Sequence, residues 1–442
     1  MKQPRSVFWT PQLVRKWLLA YLRGSRLFSR TTPELDSIDL WLVHRPKYFV
    51  GIVMSAPIVL CFSALRHLVL IRFGVFHQAE RIGYFVPAIA YFSLASSRST
   101  KRFRTVDFIS IARPFSNSQC VAMLKRQVRI ISAPWLWLFL ERACLFWTRS
   151  EVHRVPVSPK LEQYSQFLGN PGMLTLTAAE TQKGAQLLEA LGIPVGSAWV
   201  CIHNRDSKYL ATSALSLKFA PGASWAYHSY RDFAVKTLAL ASEELAERGF
   251  YVLRMGAVVE EPLFSTNPKI IDYASAPLRG DFADIYLMAN CTAYLGSDAG
   301  IFLVPLTYGK PTVIVNFSLA KINEMTYLTI DPFITKHLRH RETQRFLGLR
   351  EMFGRGLLTT SHSRIFEEAG VEAISNTPEE IRDLAVEMDE RIKGSWEPAA
   401  EDERLQTRFW EIFRQYCPSD LIGGVQARIG SAFLRQNRYL LD

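Results

Sequence analysis

The sequence predicts an α/β protein built from two parallel-sheet domains that face each other across a cleft. Apolar segments typical of strands alternate with helical segments from residue 66 to residue 375. The strand segments are nearly continuous apolar runs, as expected for strands that are covered on both faces of a parallel sheet. A chain of 442 residues is long enough for two such domains and additional terminal segments.

The alternation divides the chain into four predicted segments. A basic extension with amphipathic and apolar helices covers residues 1–65. Two Rossmann-like domains follow at residues 66–175 and 176–375, and a helical tail covers residues 376–442. Ligands of open α/β sheets bind outside the carboxyl ends of the strands, so we expect the functional residues at the strand ends that face the cleft.

The positive charge of the chain is concentrated at its N-terminus. The formal net charge is +11, and the first 30 residues contain seven Lys and Arg and no acidic residue. Apolar residues recur at helical spacing in this stretch, at Val14, Trp17, Leu18, Tyr21 and Leu22. This pattern is typical of a helix in a membrane interface and also of a helix packed on its own protein. We therefore expect an anionic membrane surface as a partner. No zinc-finger or RNP-like signature supports nucleic-acid binding.

A second apolar run covers Phe49 to Leu65. At 17 residues it is at the short end of the range for a membrane span, and Pro57 interrupts it. We interpret it as a buried or membrane-apposed helix and rank a transmembrane span second.

The cysteines and the N-terminus indicate the compartment. Six cysteines are scattered through the chain without a CxxC pair, which favours buried thiols in a reducing environment. No secretory signal is recognisable. The predicted location is cytoplasmic, peripheral at the inner face of the cytoplasmic membrane.

Local signals place the individual elements. Strands are predicted at His67–Gly74 and Val106–Ala112 and in the runs WVCIHN, FYVLRMG, KIIDYA, TAYLGS and PTVIVNF. Helices are predicted in SNSQCVAMLKRQV, RDFAVKTLALASEELAERG, DFADIYLMAN and AGIFLVPLTYG. A capping box at Thr177 begins one further helix, and the run from Thr377 to Glu380 begins another, with Pro378 at its first position.

The sharpest motif is the turn that follows the strand TAYLGS. Ser297, Asp298, Ala299 and Gly300 join this strand to an apolar helix. Backbone N–H groups and the positive end of a helix dipole would face the cleft, and small side chains permit close approach, as a diphosphate requires. Ser297 adds a hydroxyl donor. Asp298 is either the helix N-cap, which we rank first, or a partner for sugar hydroxyls.

A second motif follows the first strand of the second domain. His203, Arg205 and Asp206 lie within four positions. The guanidinium of Arg205 offers a bidentate fork for a phosphate group. His203 is either a cleft residue or a satisfied histidine at the strand end, and Asp206 either contacts the ligand or orients Arg205.

Weaker candidates end other strands. Arg254 would reach the cleft or form a surface salt bridge, and Asp272 and Tyr273 would contact a nucleobase or cap a helix. His77 and Glu80 follow the first strand of the first domain. Either could serve as a general base toward an acceptor hydroxyl, and either could be a solvated loop residue.

Several activities are excluded by absent motifs. GxGxxG, GxxxxGK[ST] and GxSxG do not occur, which argues against dinucleotide oxidoreductases, P-loop enzymes and α/β-hydrolases. His337 and His340 are predicted on one helix face without a third ligand, and no Asp-x-Asp follows a strand, so no metal is expected.

The order of several segments resembles a known family. RIGYF, CIHNRDSKY, YRDF, VLRMG, IIDYA and GSDAGIFLVPLTYGKPTVIVN, followed by SNTPEEI and ARIGSAFLRQN, resemble GT-B-fold glycosyltransferases of bacterial surface-polysaccharide biosynthesis. The resemblance covers residue 66 to the end. The run from His203 to Asp206 is similar to the His-x-Arg segment of GT-B fucosyltransferases, in which the Arg holds the donor diphosphate. The turn at 297–300 is similar to the donor-phosphate turn of heptosyltransferases.

The resemblance implies a GT-B-like fold and a metal-independent glycosyltransferase of the hexosyl or deoxyhexosyl type. A nucleotide sugar would bind the second domain as substrate, a glycan or lipid-linked acceptor would bind the first, and no cofactor would be needed. Two alternatives remain open at this point. The same cleft would suit a module that binds a nucleotide or glycan without turnover, or an epimerase that acts on the nucleotide sugar.

Overall fold

The computed structural model describes most of the chain from residue 51 onward and confirms the α/β class. The described residues are 51–98, 104–148, 151–157, 159, 163–164, 168, 174–212, 226–320, 332–358, 362–417 and 427–442. The amphipathic helix predicted near residues 14–22 lies outside them. So do the start of the apolar run at Phe49 and most of the stretch at 158–173.

The first α/β unit is a two-stranded parallel sheet with helices on it. Strand β1 (Val69–Phe76) pairs with β2 (Arg104–Ile111) in a register that begins at Val69 opposite Arg104. The predicted first strand thus continues two residues beyond Gly74. Four helices belong to this unit: α1 (Ala56–Leu65), α2 (Ile82–Arg98), α3 (Ser118–Lys125) and α4 (Pro134–Thr148).

The apolar run that precedes β1 forms helix α1. Pro57 lies in its first turn, where a missing backbone N–H costs nothing, so the proline begins this helix and does not break it. Val59 packs in a small apolar cluster with Phe73 and Leu140. No helix in the described part of the chain is long and apolar enough to cross a membrane.

The second unit contains a six-stranded parallel sheet in the order β5-β4-β3-β6-β7-β8. The chain enters this sheet at β3 in its middle and continues through β4 to the edge strand β5. It then returns to the middle at β6 and continues through β7 to the other edge strand, β8. The β3–β6 boundary is therefore the point where the winding direction changes. The strands are β3 (Trp199–His203), β4 (Tyr251–Arg254), β5 (Ile270–Ile271), β6 (Ala293–Gly296), β7 (Thr312–Phe317) and β8 (Phe333–Thr335).

Helices cover both faces of this sheet. They are α5 (Ala178–Ala190), α6 (Lys208–Thr212), α7 (Ala239–Glu247), α8 (Asp281–Asn290) and α9 (Leu303–Thr307). The capping box of α5 is present, because Thr177 N donates to Glu180 and Glu180 N donates back to Thr177. Two predicted helices are shorter than expected. Before α7 the chain forms a 3₁₀ turn at Val235–Leu238, and before α9 another at Gly300–Phe302.

The C-terminal part adds an antiparallel strand pair and helices that pack on the second unit. Strand β9 (His337–His340) pairs with β10 (Val371–Ile374), so His337 and His340 lie on a strand and the predicted helix there is wrong. His337 Nε2 lies 3.1 Å from Glu380 Oε2. The helices are α10 (Leu349–Gly354), α11 (Ser363–Glu368), α12 (Pro378–Lys393), α13 (Ala400–Tyr416) and α14 (Ser431–Gln436).

The two units contact each other through helices and share one continuous apolar core. The N-terminus of α3 approaches α8, since Ser118 N donates to Asp281 Oδ2 at 2.7 Å and Asn117 Nδ2 donates to Asp281 O at 2.9 Å. The start of α2 touches the turn that precedes α9. A Cβ at Gly83 would lie 2.6 Å from Gly300 Cα, so the two backbones meet without side chains between them.

Candidate anion-binding site at the centre of the six-stranded sheet

The site lies where β3 and β6 end side by side. Because the connections after β3 and β6 lead to opposite halves of the sheet, their carboxyl ends leave a crevice between them, where ligands of open α/β sheets bind. Both sequence motifs are located here. β3 ends at His203 and β6 at Gly296, which are direct register partners, and residues 204–205 and 297–298 follow the two strand ends.

His203 and Ser297 connect the two strand ends. Ser297 N donates to His203 O at 3.0 Å, and Ser297 Oγ lies 2.9 Å from His203 Nδ1. A Cβ at Gly296 would collide with the carbonyl oxygen of His203, so a glycine is needed at this position. Burial, together with the charges of Arg254 and Arg205, lowers the pKa of His203 to about 3. The imidazole is therefore neutral at pH 7, and it orients the Ser297 hydroxyl without adding charge.

Arg205 lies beside this pair and is held by the segment at 226–233. Its Nη1 donates to His228 O at 3.0 Å and pairs with the carboxylate of Asp232. The side chain is 10% exposed, and burial lowers the pKa of Arg205 although Asp232 opposes the shift. Asn204 Nδ2 donates to Phe233 O at 3.1 Å, which fixes the same segment.

Arg231 holds the turn after β6. Its Nη2 donates to the backbone oxygen of Asp298 at 2.6 Å and its Nε to Asp298 Oδ1 at 3.2 Å. The Asp298 side chain is 3% exposed. We expected Asp298 to cap the following helix, but Ala299 occupies the cap position of the 3₁₀ turn and has no capping side chain. The preference for a capping role is therefore wrong, and Asp298 is the partner of Arg231.

Lys336 is a third cation at the same edge. It follows β8 directly, is 6% exposed, and its Nζ donates to Asp232 O at 2.7 Å and to Ser375 Oγ at 3.1 Å. Burial lowers the pKa of Lys336 to about 8, and Asp232 and Asp298 oppose the shift. Its charge is therefore sensitive to what else binds at this edge.

The turn at 299–300 is the exposed part of the site. Ser297 and Asp298 are buried, whereas Ala299 is half-buried and Gly300 exposed. The α-helix behind the turn has only five residues. Since macrodipole strength grows with aligned peptide units, the expected contribution of a helix dipole is small here, and the guanidinium groups are the main source of positive charge.

Three predicted donor residues lie in or beside a buried ion pair. Arg254 is fully buried; its Nη2 donates to Asn204 Oδ1 at 3.0 Å and its Nη1 to Asp272 Oδ1 at 3.3 Å. The Tyr273 ring is also fully buried, and its hydroxyl donates to Asp284 at 2.8 Å. This burial leaves Tyr273 no ring face for a nucleobase. Arg254 acts on the crevice through its charge and through Asn204.

Asp206 shapes the loop and does not orient Arg205. Its carboxylate accepts from Lys208 N at 3.0 Å, at the start of α6, and from Glu260 N at 3.1 Å. The expectation that Asp206 positions Arg205 is therefore wrong, because Asp232 has that position.

The first unit contributes the loop between β1 and α2. Ser116 N and Oγ both donate to Ala79 O, at 2.7 and 2.8 Å, and hold this loop. Glu80 is half-buried, and Oε2 has no hydrogen-bond partner among the described residues. Burial raises the pKa of Glu80. His77 lines a small pocket with Tyr84 and Phe85. Both lie a few residues before Gly83, which touches the 300 turn.

Three residues of the site were missed by motif reasoning. Arg231 and Asp232 begin the helix predicted in RDFAVKTLALASEELAERG, whereas in the structure Arg231 ends a 3₁₀ turn (Ala226–Arg231); Lys336 follows a three-residue strand. Each of these residues has a sequence feature that could have identified it. YRDF places two charged residues between aromatic ones, and Lys336 is an ionisable residue directly after an apolar strand.

Within the described residues no three His, Cys, Asp or Glu side chains lie close enough together to hold a metal ion. The expectation that the activity needs neither metal nor cofactor stays a prediction.

Comparisons with known proteins give weak structural likeness. No protein-family model matches the chain, and no curated protein matches it. Among solved structures, the E. coli ADP-heptose LPS heptosyltransferase II is similar over 55% of this chain and 84% of its own, at 11% identity and a TM-score of 0.30. A glycosyl transferase family 9 protein from Veillonella parvula is similar over 56% and 81%, at 10% identity and a TM-score of 0.33. At these scores neither carries an argument about fold or activity.

Proposed function

We propose that this protein is a glycosyltransferase of GT-B-like architecture, which transfers a sugar from a nucleotide-sugar donor to a glycan or lipid-linked acceptor. One observation carries the proposal. Arg205, Arg231 and Lys336 converge at the carboxyl edge of a parallel sheet, beside the boundary where its winding reverses. This is where a doubly wound sheet binds phosphate-bearing ligands, and three cations there suit a pyrophosphate.

The carboxylates at the site do not prevent such binding. His228 O and the Asp232 carboxylate both contact Nη1 of Arg205. A guanidinium has five N–H donors in a planar fork, so the same side chain can hold Asp232 and phosphate oxygens together. The carboxylates keep the cations buried and oriented before the ligand arrives. An incoming diphosphate then meets groups that need little rearrangement.

The reaction follows from this arrangement. The acceptor oxygen forms a bond to the anomeric carbon, the bond between that carbon and the diphosphate oxygen breaks, and negative charge develops on the leaving nucleoside diphosphate. Arg205, Arg231 and the amides at Ala299 and Gly300 are proposed to stabilise that charge. Glu80 is proposed to accept the proton of the acceptor hydroxyl, because burial raises the pKa of Glu80 toward the value that suits a general base. His77 remains the second candidate for that base.

We propose that each of the two units binds one substrate. The residues at 176–375 hold the donor and those at 66–175 the acceptor, with closure of the units excluding water. Transfer to a surface polysaccharide of a bacterium, at the inner face of the cytoplasmic membrane, is the setting that we propose.

A binding screen followed by product analysis tests the proposal. A nucleoside diphosphate that binds the folded protein must raise its melting temperature, so a thermal-shift series over UDP, GDP, ADP and CDP identifies the base. Incubation of the matching nucleotide sugar with an acceptor should then release the diphosphate and give a new glycan. An altered sugar would instead indicate an epimerase, and binding without change a non-catalytic module. No thermal shift with any nucleotide would contradict the site itself.

A further inference from the structure

Two packed helices of the first unit, and the residues beside them, expose many large apolar side chains to solvent. Met54, Leu60 and Trp135 are 72%, 67% and 70% exposed. We call this the α1–α4 surface, and its large exposed members are Val53, Met54, Ile58, Leu60, Leu65, Leu68, Trp135, Leu136 and Trp147. Single exposed apolar residues are ordinary, whereas a contiguous group of this size marks an interaction surface.

The helices form one layer because they pack on each other and on the two-stranded sheet. Trp147 Nε1 donates to Ile52 O at 2.8 Å, which ties the end of α4 to the segment before α1. Beneath the layer, the Trp137 ring stacks on Phe73 of β1 with the ring centroids 5.9 Å apart. The inner faces are thus occupied, and the outer faces are what remains exposed.

The outer face of helices α1 and α4 is apolar because these helices contain few charged residues. Helix α1 contains no charged residue in its ten positions. Of the two charged residues of α4, Glu141 is buried and its Oε1 accepts from Arg154 at 3.1 Å, while Arg142 is half-buried. In these two helices the carboxylate is therefore buried, the guanidinium is half-buried, and no charged residue is fully exposed.

Exposed arginines lie close in the chain to the helices of this surface. As a sequence, residues 1–140 contain 20 Lys and Arg against 5 Asp and Glu. Among the described residues, Arg66, Arg104 and Arg129 are exposed near the ends of α1, β2 and α4. An apolar face with Trp residues and a basic border is the composition of surfaces that lie in a membrane interface.

We propose that the α1–α4 surface inserts into the interfacial layer of a bilayer containing acidic lipids. Helix α1 has ten residues, about 15 Å in length, against a hydrocarbon core of about 30 Å, so it lies in the layer and does not cross it. The apolar face enters the acyl boundary, and the basic border meets the headgroups. This inference is independent of sugar transfer.

Charge distinguishes lipid from the other possible occupants. A second copy of the chain would bring two basic borders together, and the chain's own first 30 residues are also basic without a single acid. A second copy or residues 1–30 would place like charges side by side, whereas acidic lipid headgroups neutralise them. Residues 31–50, with three acidic and two basic residues, are distinguished from lipid by the labelling experiment below.

Thiol protection in the full-length protein tests the occupant. Cys61 is exposed on α1, and Cys120, Cys144, Cys201 and Cys291 are buried, so a Cys417→Ser variant leaves Cys61 as the reactive site. Vesicles of phosphatidylglycerol and phosphatidylcholine should slow maleimide labelling of Cys61 at least about tenfold, and pure phosphatidylcholine much less. Slow labelling without lipid at every protein concentration would overturn the proposal in favour of coverage by the chain itself. Protection that grows with protein concentration would overturn it in favour of a dimer.

Charge substitution tests the surface directly. Leu60→Glu combined with Trp135→Glu should reduce the partition coefficient onto the same acidic vesicles at least about tenfold, because two inserted apolar side chains are replaced by charges. Phe264→Glu is the matched control, since Phe264 is 84% exposed and lies outside the surface. Equal flotation of both variants, with unchanged melting temperatures, would overturn the proposal.

Discussion

The carboxyl edges of the two parallel sheets differ in how their side chains are held. At the six-stranded sheet, Arg205 is paired with Asp232 and Arg231 with Asp298, and all four side chains are largely buried. At the two-stranded sheet, the loop with Glu80 is held by Ser116, whose N and Oγ donate to Ala79 O, and one carboxylate oxygen of Glu80 has no hydrogen-bond partner among the described residues.

The difference matches the two tasks that we propose for the edges. Stabilising a leaving diphosphate requires fixed charges, and fixing a buried charge requires a partner that offsets its desolvation. Abstracting a proton requires a carboxylate that is not neutralised by a tight ion pair, because a strong pair would lower its pKa and its basicity. The carboxyl edge of the six-stranded sheet, which we call the paired edge, therefore suits the donor. The carboxyl edge of the two-stranded sheet suits the acceptor.

The largest expected effect is on Glu80. Glu80→Gln should lower kcat by about 10²–10⁴-fold with little change in the affinity for nucleoside diphosphate, because general-base catalysis is lost while the donor site is intact. Single-turnover release of the diphosphate and calorimetric binding measure the two quantities separately. If Glu80→Gln keeps its kcat while His77→Gln loses it, the base is His77 and the assignment of Glu80 is wrong.

Substitution of Arg205 tests whether the paired edge stabilises the leaving diphosphate. Arg205→Ala should lower kcat/KM for the nucleotide sugar about 100-fold or more, since a charge-stabilising donor at the leaving group is removed. Arg205→Lys should recover part of this, because it restores the charge without the fork. Arg364→Ala is the matched control; this side chain is 82% exposed and pairs with Glu368 on the surface. Unchanged turnover of a folded Arg205→Ala protein would remove Arg205 from the mechanism.

Gly83 tests whether the two edges are coupled. A Cβ there would lie 2.6 Å from Gly300 Cα and 2.7 Å from its carbonyl oxygen, so Gly83→Ala must displace the backbone of the turn. Overpacking of this kind costs about 1–3 kcal/mol, and we expect weaker nucleotide binding as well. Gly354→Ala, where an added Cβ meets nothing within 4 Å, is the control for denaturant unfolding and binding. Equal behaviour of the two variants would mean that the turn tolerates displacement.

The sequence predicted the sheet better than the helices. Strand ends such as His203 and Gly296 were located because an apolar run stops at a polar residue or a glycine, and this signal is local. The run AGIFLVPLTYG does not distinguish a 3₁₀ turn from an α-helix, so the helix after the turn was overestimated. Likewise, His337 and His340 at i and i+3 fit a helix face, although the chain forms a short strand there.

The ion pairs of the site could not be predicted in the same way. Arg231 and Asp298 are 67 positions apart, and only the winding of the sheet brings them together. The sequence therefore indicated the strand ends at His203 and Gly296, whereas of its two readings of Asp206 the pairing with Arg205 is not observed, because Arg205 pairs with Asp232. Pairing between charged residues depends on tertiary geometry, and one sequence contains many combinations that are equally plausible.

The smallest predicted effect is that of Lys336. It tests whether the ammonium group of Lys336 interacts with a diphosphate bound at the paired edge. Burial lowers the pKa of Lys336 to about 8, with Asp232 and Asp298 opposing and Arg205 reinforcing the shift. A bound diphosphate favours the ammonium form, so binding near pH 8 should take up protons, and affinity should fall by up to about tenfold as pH rises from 7 to 9. Lys336→Gln should flatten this dependence, whereas Lys125→Gln, on the exposed side of α3, should keep it. Calorimetry in two buffers of different ionisation enthalpy measures the proton uptake directly. A pH-independent affinity in the unmodified protein would mean that the diphosphate binds beyond the reach of Lys336, and the paired edge would then be smaller than proposed.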